Sequence, residues 1–122
     1  SVASRGLGDV YKRQDIYTLP CEEAGYEHVW HQFVIRCSNR DIIQKELSER
    51  GIGTMIHYPL APYAQKAYQH HGFNRCDFKI SEIIHSEVLS LPSSHYLNDE
   101  ERIHIVKSLN ELNIEGHVEL QE

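Results

Sequence analysis

Residues 27–37 alternate in a way that suits an extended strand better than a helix. On one face of such a strand would lie Val29, His31, Phe33, Ile35 and Cys37. The opposite face would hold Trp30, Gln32, Val34 and Arg36. β-Branched and aromatic residues are enriched in strands, and successive side chains of a strand point to opposite faces. The pattern predicts a half-buried or fully buried strand, with His31 as a packed structural residue.

A helical pattern follows this strand. Ile42, Ile43 and Leu47 recur at helical spacing, and Gly51 then offers the left-handed residue with which helices commonly end. Ser38 and Asp41 stand where side chains can cap the first amide groups. A helix is therefore predicted from residue 38 to about residue 50.

The remaining chain continues this mixture of strand and helix patterns. A short β-rich run over 52–57 stops at Tyr58-Pro59, because proline cannot continue a ladder. Helices are predicted over 62–72 and 78–89, a brief strand over 90–92, and a last helix that Asn98 caps. The helix over 78–89 is expected to bury a broad apolar face formed by Ile80, Ile83, Ile84, Val88 and Leu89. The predicted fold class is α/β (α+β), with a small, mainly antiparallel sheet of about three strands and four helices.

Size and charge exclude several classes of function. The chain has 122 residues, room for one domain of ordinary size, and a net charge of -6 that disfavours nucleic acid as a partner. No apolar run approaches the about 18 residues that a membrane-spanning helix needs. The three cysteines form no C-x-x-C pair, so a reducing, cytoplasmic location is expected.

The first fourteen residues do not resemble the rest of the chain. Residues 1–14 lack helical and strand periodicity, and residues 9–14 resemble an in-frame translation of a transposon end used in sequencing libraries. We expect residues 1–14 to be a non-native, disordered sequencing or assembly scar, with an ordinary flexible tail as the alternative. The native domain is then expected over 15–114, followed by a tail over 115–122.

Two groups of residues invite a chemical interpretation. His70, His71, Cys76 and His85 have no zinc-ligand spacing, so no metal site is predicted. The segment 57–63 presents His57, Tyr58, Pro59 and Tyr63 where a strand is predicted to stop, and strand ends in α/β folds commonly carry ligand contacts. Spacing alone leaves a structural turn and a binding site both open.

Six short motifs, in this order and spacing, resemble the carboxy-terminal domain of the DegT/DnrJ/StrS sugar aminotransferase family. They are YTLP at 17–20, HVWHQFVIR at 28–36, RD at 40–41, GIGT at 51–54, HYP at 57–59 together with QKAY at 65–68, and EVLSLP at 87–92. The resemblance implies the C-terminal small domain of a type I aminotransferase. It maps His57, Tyr58 and Pro59 onto a turn that contacts the sugar nucleotide, and Tyr63 stands where the family often has histidine.

The resemblance also implies what the full-length parent does. Such enzymes use pyridoxal phosphate to transfer an amino group from glutamate to a keto-deoxysugar nucleotide, normally as homodimers. None of Lys45, Lys66, Lys79 and Lys107 has the setting of the family's cofactor lysine. The fragment alone is therefore expected to bind no pyridoxal phosphate and to be inactive.

Other functions remain open from the sequence. One alternative is the small domain of a related sugar dehydratase or of a regulatory member, and another is a free-standing α/β ligand-binding module. If the domain packs on a missing partner, an exposed apolar patch is expected around Trp30, Tyr58 or Tyr63.

Overall fold

A computed structural model of the protein describes residues 16–112. The predicted scar over 1–14 and tail over 115–122 lie outside the described residues. The regular elements are the strands β1 (Phe33–Arg36) and β2 (Val88–Leu91) and the helices α1 (Arg40–Glu49), α2 (Lys79–Glu87) and α3 (Asp99–Asn110). Three short 3₁₀ helices span Pro62–Ala64, Lys66–His71 and Arg75–Phe78.

The sheet is antiparallel and has two strands. Phe33 lies opposite Leu91, and Arg36 lies opposite Val88. Single bridges extend the sheet on both sides, Thr18 with Arg36 and Met55 with Ser90. The mixed α/β class and the strand near 90–92 are confirmed, although that strand begins at Val88.

The strand predicted over 52–57 is not formed. Only Met55 pairs, through two backbone hydrogen bonds with Ser90 of 3.1 and 2.7 Å. The chain then bends at His57, so the ladder ends after one residue. The predicted three-stranded sheet is accordingly two strands plus this bridge.

The first strand is shorter than its pattern predicts. Trp30 has a φ of 50°, a left-handed conformation that no strand accommodates, and regular pairing begins only at Phe33. The indole is nevertheless 8% exposed and its ring centroid lies 5.0 Å from that of Phe33. His31 is consequently exposed rather than packed, and the prediction for this side chain is wrong.

Helix α1 has the predicted stripe but a different start. Ile43 and Leu47 are fully buried, and Gly51 has a φ of 76° after the helix, as predicted. The cap is Asn39 rather than Ser38, and no side chain bonds the first amides. The predicted cap by Ser38 and Asp41 is therefore wrong, and the Asp41 carboxylate accepts a 2.6 Å hydrogen bond from Arg40 Nε instead.

The helix predicted over 62–72 is replaced by two 3₁₀ helices. Gln65 lies between them in an extended conformation with a ψ of 147°, which interrupts any continuous α-helix. Gly72 ends the second segment with a φ of 67°, as the sequence predicts. Residues 16–112 thus contain three α-helices and three 3₁₀ helices.

Helix α2 forms where it is predicted, but its apolar face is not covered. Ile80, Ile83 and Ile84 are 76%, 50% and 37% exposed. Val88 and Leu89, predicted as the end of this helix, belong to β2 and are buried. The prediction that α2 buries a broad face is wrong for the three isoleucines.

A single core joins the two strands with α1 and α3. Its fully buried side chains include Ile35, Ile43, Leu47, Leu89, Leu109 and Leu112. Asn98 begins α3 with a reciprocal capping box, in which Asn98 Oδ1 accepts from the Glu101 amide at 2.8 Å. Within α3, Ile105 is buried, whereas Ile103 is 65% exposed.

Candidate functional site

The turn over 57–59 is attached to the sheet through His57. Its Nδ1 lies 2.8 Å from Ser90 Oγ, and the two atoms are hydrogen-bonded. Ser90 is 6% exposed and lies within β2, so the sheet fixes the orientation of the imidazole ring. Since Nδ1 is engaged, Nε2 is the ring nitrogen placed to meet a ligand.

A cavity of about 210 Å³ lies beside this ring. Polar side chains from three separate segments line it, and small or apolar residues complete the wall: His31, Gln32, Gly53, Met55, His57, Ser90, Leu91, Pro92 and Ser93. Two imidazoles, an amide and two hydroxyls offer both donors and acceptors, the equipment with which a protein binds a polyhydroxylated ligand. The site therefore includes His31, which the sequence analysis assigned a structural role.

The position of His31 depends on the backbone conformation of Trp30, which the sequence pattern does not indicate. The left-handed conformation there rotates the following residues out of strand alternation, and no sequence pattern reports it. The same change brings Gln32 to the cavity. The predictions for His31 and Gln32 used strand alternation alone, so they missed the position of both side chains at the cavity.

Tyr58 and Pro59 lie at the exposed tip of the turn. The Tyr58 side chain is 63% exposed, and its ring packs edge-to-face against His57 with centroids 5.5 Å apart. Its carbonyl oxygen accepts a 2.6 Å hydrogen bond from His85 Nδ1 of α2. The peptide bond between His57 and Tyr58 is cis. The turn is thus held between β2 on one side and α2 on the other.

Tyr63 lies outside the lining of this cavity. Its hydroxyl donates a 2.6 Å hydrogen bond to Glu82 Oε1, and its ring stacks on Phe78 at 4.3 Å. Arg75 donates hydrogen bonds to the same carboxylate from Nε and Nη2, the latter at 2.6 Å. The hydrogen bonds from Arg75 and then Tyr63 lower the pKa of Glu82. Desolvation, followed by the Glu82 hydrogen bond, raises the pKa of Tyr63.

The four lysines within residues 16–112 lie at the surface. Lys45, Lys66, Lys79 and Lys107 are all exposed. Two of them face helix carboxylates, Lys45 with Glu49 at 3.9 Å and Lys107 with Glu111 at 3.8 Å. Lys107 also lines an open cavity of about 640 Å³ along α3.

Residues 16–112 contain neither a cluster of metal ligands nor a membrane-spanning helix. Within this range no three His, Cys, Asp or Glu side chains are grouped to hold a metal ion. No helix in the same range is both long enough and apolar enough to cross a membrane.

Comparison with solved structures defines the class of protein. The S. venezuelae protein DesV, solved in complex with a ketimine intermediate, is similar with a TM-score of 0.83 and 26% identity, over 90% of this chain and 29% of that one. NtdA from Bacillus subtilis, solved with bound cofactor PMP, is similar with a TM-score of 0.73 and 28% identity, over 88% of this chain and 26% of that one. The fold is a part of the aminotransferase fold.

Residues 2–110 match the DegT/DnrJ/EryC1/StrS aminotransferase family, and the chain belongs to this family. The match extends into residues 1–14, and the expectation that this segment is non-native remains a prediction. The resemblance seen in the six sequence motifs is confirmed.

Two curated relatives illustrate the range of the family. The dTDP-3-amino-3,6-dideoxy-alpha-D-galactopyranose transaminase of Aneurinibacillus thermoaerophilus is 45% identical over 92 residues, which are 75% of this chain and 25% of that protein. A pleiotropic regulatory protein of Geobacillus stearothermophilus is 35% identical over 97 residues, 80% of this chain and 26% of that protein. The chain spans about a quarter of the length of these relatives.

Proposed function

We propose that residues 15–114 are the C-terminal small domain of a pyridoxal-phosphate-dependent nucleotide-sugar aminotransferase. The observation that carries this proposal is the 45% identity to a dTDP-amino-sugar transaminase over three quarters of the chain. The whole protein would transfer an amino group from glutamate to a keto-deoxysugar nucleotide in the cytoplasm, acting as a homodimer. This domain would supply one wall of the substrate cleft.

The anchored turn supports a role in substrate contact. His57 would present Nε2 to a sugar or nucleotide oxygen, because Ser90 engages Nδ1. Tyr58 would cover the ligand with its exposed ring, and Pro59 would fix the shape of the turn. Tyr63 directs its proton to Glu82, so its hydroxyl would meet the substrate only as an acceptor.

Pyridoxal phosphate would be held by the remainder of the whole protein. When bound, it supplies the electron sink that amino transfer requires. This chain would orient the sugar nucleotide and help to exclude water from the cleft. The exposed positions of the four described lysines support this division of roles.

A chimera tests the proposal. Residues 15–114 would replace the aligned C-terminal segment of the Aneurinibacillus transaminase, and formation of its amino-sugar nucleotide from glutamate would be measured. We expect a folded, active chimera. His57→Ala is expected to lower kcat/KM by about tenfold or more while the protein still folds, as removal of a positioned polar contact does. A folded, cofactor-loaded chimera without transaminase activity would contradict the proposal.

A second candidate is a regulatory member of the same family. The 35% identity to a protein named as a pleiotropic regulator favours it. The chimera distinguishes the two functions, because a purely regulatory domain has no need to support turnover. A folded, cofactor-loaded chimera without transaminase activity would favour regulation.

A further inference from the structure

Helix α2 is fixed at its C-terminal end by hydrogen bonds rather than by burial. No residue of α2 is buried, and the last carbonyl groups of a helix have no partner within the helix itself. Arg40 donates from Nη1 to the carbonyl oxygen of His85 at 3.0 Å. The amide of Cys37 donates to the carbonyl oxygen of Glu87 at 3.0 Å. Because Arg40 begins α1 and its side chain is only 12% exposed, the last turn of α2 is attached to a helix of the core.

One side of α2 contacts the segment that carries the candidate site. Glu82 and His85 are three positions apart, so their side chains share a side of the helix. Glu82 accepts a 2.6 Å hydrogen bond from the Tyr63 hydroxyl. His85 Nδ1 lies 2.6 Å from the carbonyl oxygen of Tyr58. These two contacts bracket residues 58–63, so α2 supports this segment at both ends.

The partner of His85 determines which nitrogen of its ring carries the proton. A carbonyl oxygen can only accept, so Nδ1 of His85 must carry the proton that is donated to Tyr58. His104 makes the opposite choice, because its Nε2 lies 2.8 Å from the carbonyl oxygen of Arg50. The chain thus contains two histidines that donate to a backbone carbonyl through different ring nitrogens, and His85 is the one that contacts the turn.

The Tyr58 ring is restrained by the backbone more than by packing. Among the aromatic residues around which the sequence predicts an exposed patch, Tyr58 is 63% exposed, whereas Trp30 is 8% exposed and Tyr63 is half-buried. A peptide unit is planar, so a hydrogen bond to the Tyr58 carbonyl oxygen restrains the orientation of the whole unit between Tyr58 and Pro59. His85 therefore restrains the residue of the turn that packing holds least.

We propose that His85 is a positioning residue, which holds residues 57–59, hereafter the substrate turn, in the conformation that receives the sugar nucleotide. The inference rests on the proposed function. His85 restrains the Tyr58 backbone from α2, and Ser90 restrains the His57 ring from β2. A preformed site needs less ordering when it binds, so loss of one restraint weakens recognition of the ligand. His85 acts on the substrate through the turn.

The geometry is tested on the 122-residue chain, independently of the proposed function. Nitrogen NMR of the histidine rings reports which ring nitrogen carries the proton, and a pH of about 8 keeps an ordinary histidine neutral. We expect the Nδ1–H tautomer at His85 and the Nε2–H tautomer at His104. Each signal is assigned by its loss when that histidine is replaced. An Nε2–H tautomer at His85 would overturn the proposal.

Asparagine and glutamine imitate different nitrogens of the ring. The amide nitrogen of asparagine lies near the position of Nδ1 and that of glutamine near Nε2, so His85→Asn can keep the bond to Tyr58 and His85→Gln cannot. His104→Asn is the matched control, because it removes a histidine-to-carbonyl bond at Arg50 rather than at the turn. In backbone NMR spectra, His85→Gln should shift the signals of residues 57–59, whereas His85→Asn and His104→Asn should leave them nearly unchanged.

The consequence for activity is tested in the Aneurinibacillus chimera. Amino transfer has one half-reaction with glutamate and one with the sugar nucleotide, and kcat/KM is measured for each substrate. We expect His85→Gln to lower kcat/KM for the sugar nucleotide by about fivefold or more and to change that for glutamate by less than about twofold, because only the sugar nucleotide is assigned to the turn. His85→Asn should restore most of the activity, and His104→Asn should change neither constant.

The outcomes separate this inference from the proposed function. An unsubstituted chimera that is folded, loaded with cofactor and inactive contradicts the proposed function, and the NMR comparison then decides whether His85 holds the turn. An active chimera in which His85→Gln behaves like His104→Asn overturns the inference. Equal losses of kcat/KM for glutamate and for the sugar nucleotide would show a general structural role for His85 and would overturn it as well.

Discussion

Glu82 is the residue that ties the segment after the turn to α2. Its carboxylate accepts one hydrogen bond from Tyr63 and a two-pronged contact from Arg75, and these contacts stabilise its ionised form. Their combined effect lowers the pKa of Glu82, with Arg75 as the larger cause. The ionised carboxylate thus holds two otherwise separate segments of chain in place.

Replacing this carboxylate should change how stability depends on pH. A carboxyl group whose folded pKa is lowered contributes stability above its unfolded pKa, and that contribution is lost as pH falls. We expect Glu82→Gln to lower the melting temperature at pH 7 and to reduce the further loss seen on acidification to about pH 4. Thermal melts at both pH values check this, with Glu49→Gln as the control. Parallel curves for Glu82→Gln and the unsubstituted chain would contradict it.

The three cysteines should differ sharply in reactivity. Cys37 is 2% exposed, and burial raises its pKa to about 12, whereas Cys21 and Cys76 are exposed. Because the thiolate is the reacting species, iodoacetamide at pH 8 should modify Cys37 at least about 100-fold more slowly than the other two. Peptide mass spectrometry over time measures the three rates. Comparable labelling of Cys37 in the folded chain would argue against its burial.

Among the individual residues of the site, those of the turn were predictable from the sequence, whereas most of those that line the cavity were not. His57 and Tyr58 stand out because a glycine-rich, proline-ended segment contains them, and that signal is local. The cavity also needs His31 and Ser90, which lie far apart in sequence. Their meeting depends on strand pairing and on the backbone at Trp30, which no local pattern encodes.

Helices α1 and α3 differ in how the backbone amides of their first turns are hydrogen-bonded. Asn98 caps α3 through its side chain, and its own amide donates a 2.9 Å hydrogen bond to Glu101 Oε2, whereas Asn39 at the start of α1 makes no side-chain cap bond. Two asparagines at equivalent positions therefore make unequal contributions. The capping box satisfies two backbone donors that α1 leaves to other partners.

This difference predicts unequal effects of one substitution. Asn98→Ala is expected to lower the free energy of unfolding by about 1 kcal/mol, since an N-cap side-chain bond is lost. Asn39→Ala should cost clearly less than that, because its side chain caps nothing. Urea denaturation of the two variants beside the parent chain measures both values. A larger loss for Asn39→Ala would contradict the assignment of the caps.

Element by element, patterns with a buried stripe were predictable and short segments were not. The apolar spacing in α1 and the Asn98 cap of α3 each report a strong local preference. The segment 62–72 has helical spacing as well, but Gln65 adopts an extended backbone that divides it. Met55 pairs through a single bridge because the chain turns away at His57. Such outcomes depend on tertiary contacts that override local propensity.

As a whole molecule, the described chain has a core on one side and an apolar helix face without cover elsewhere. The sheet, α1 and α3 share the core, and α2 contributes no buried residue to it. The sequence predicted the apolar character of α2 but assigned its face to the interior of this chain. Periodicity reports which side of a helix needs cover, and it does not report which polypeptide provides that cover.

The isolated chain should not trap the cofactor. After incubation with pyridoxal phosphate and borohydride, we expect no lysine to be modified stoichiometrically, because the four described lysines are exposed. Peptide mass spectrometry of the reduced sample measures the modification at each site. Complete modification of a single lysine would show that the chain holds the cofactor by itself.

Ser90 links the register of the two strands to the orientation of the His57 ring. Its backbone pairs with Met55 while its hydroxyl holds the His57 ring, so one residue serves both the ladder and the site. Adjacent strand residues point to opposite faces, and a slip of β2 by one position would put a leucine beneath the imidazole. A misaligned molecule could still be compact, yet its histidine would have lost the partner that orients it. Ligand binding at His57 would therefore depend on correct pairing of the two strands.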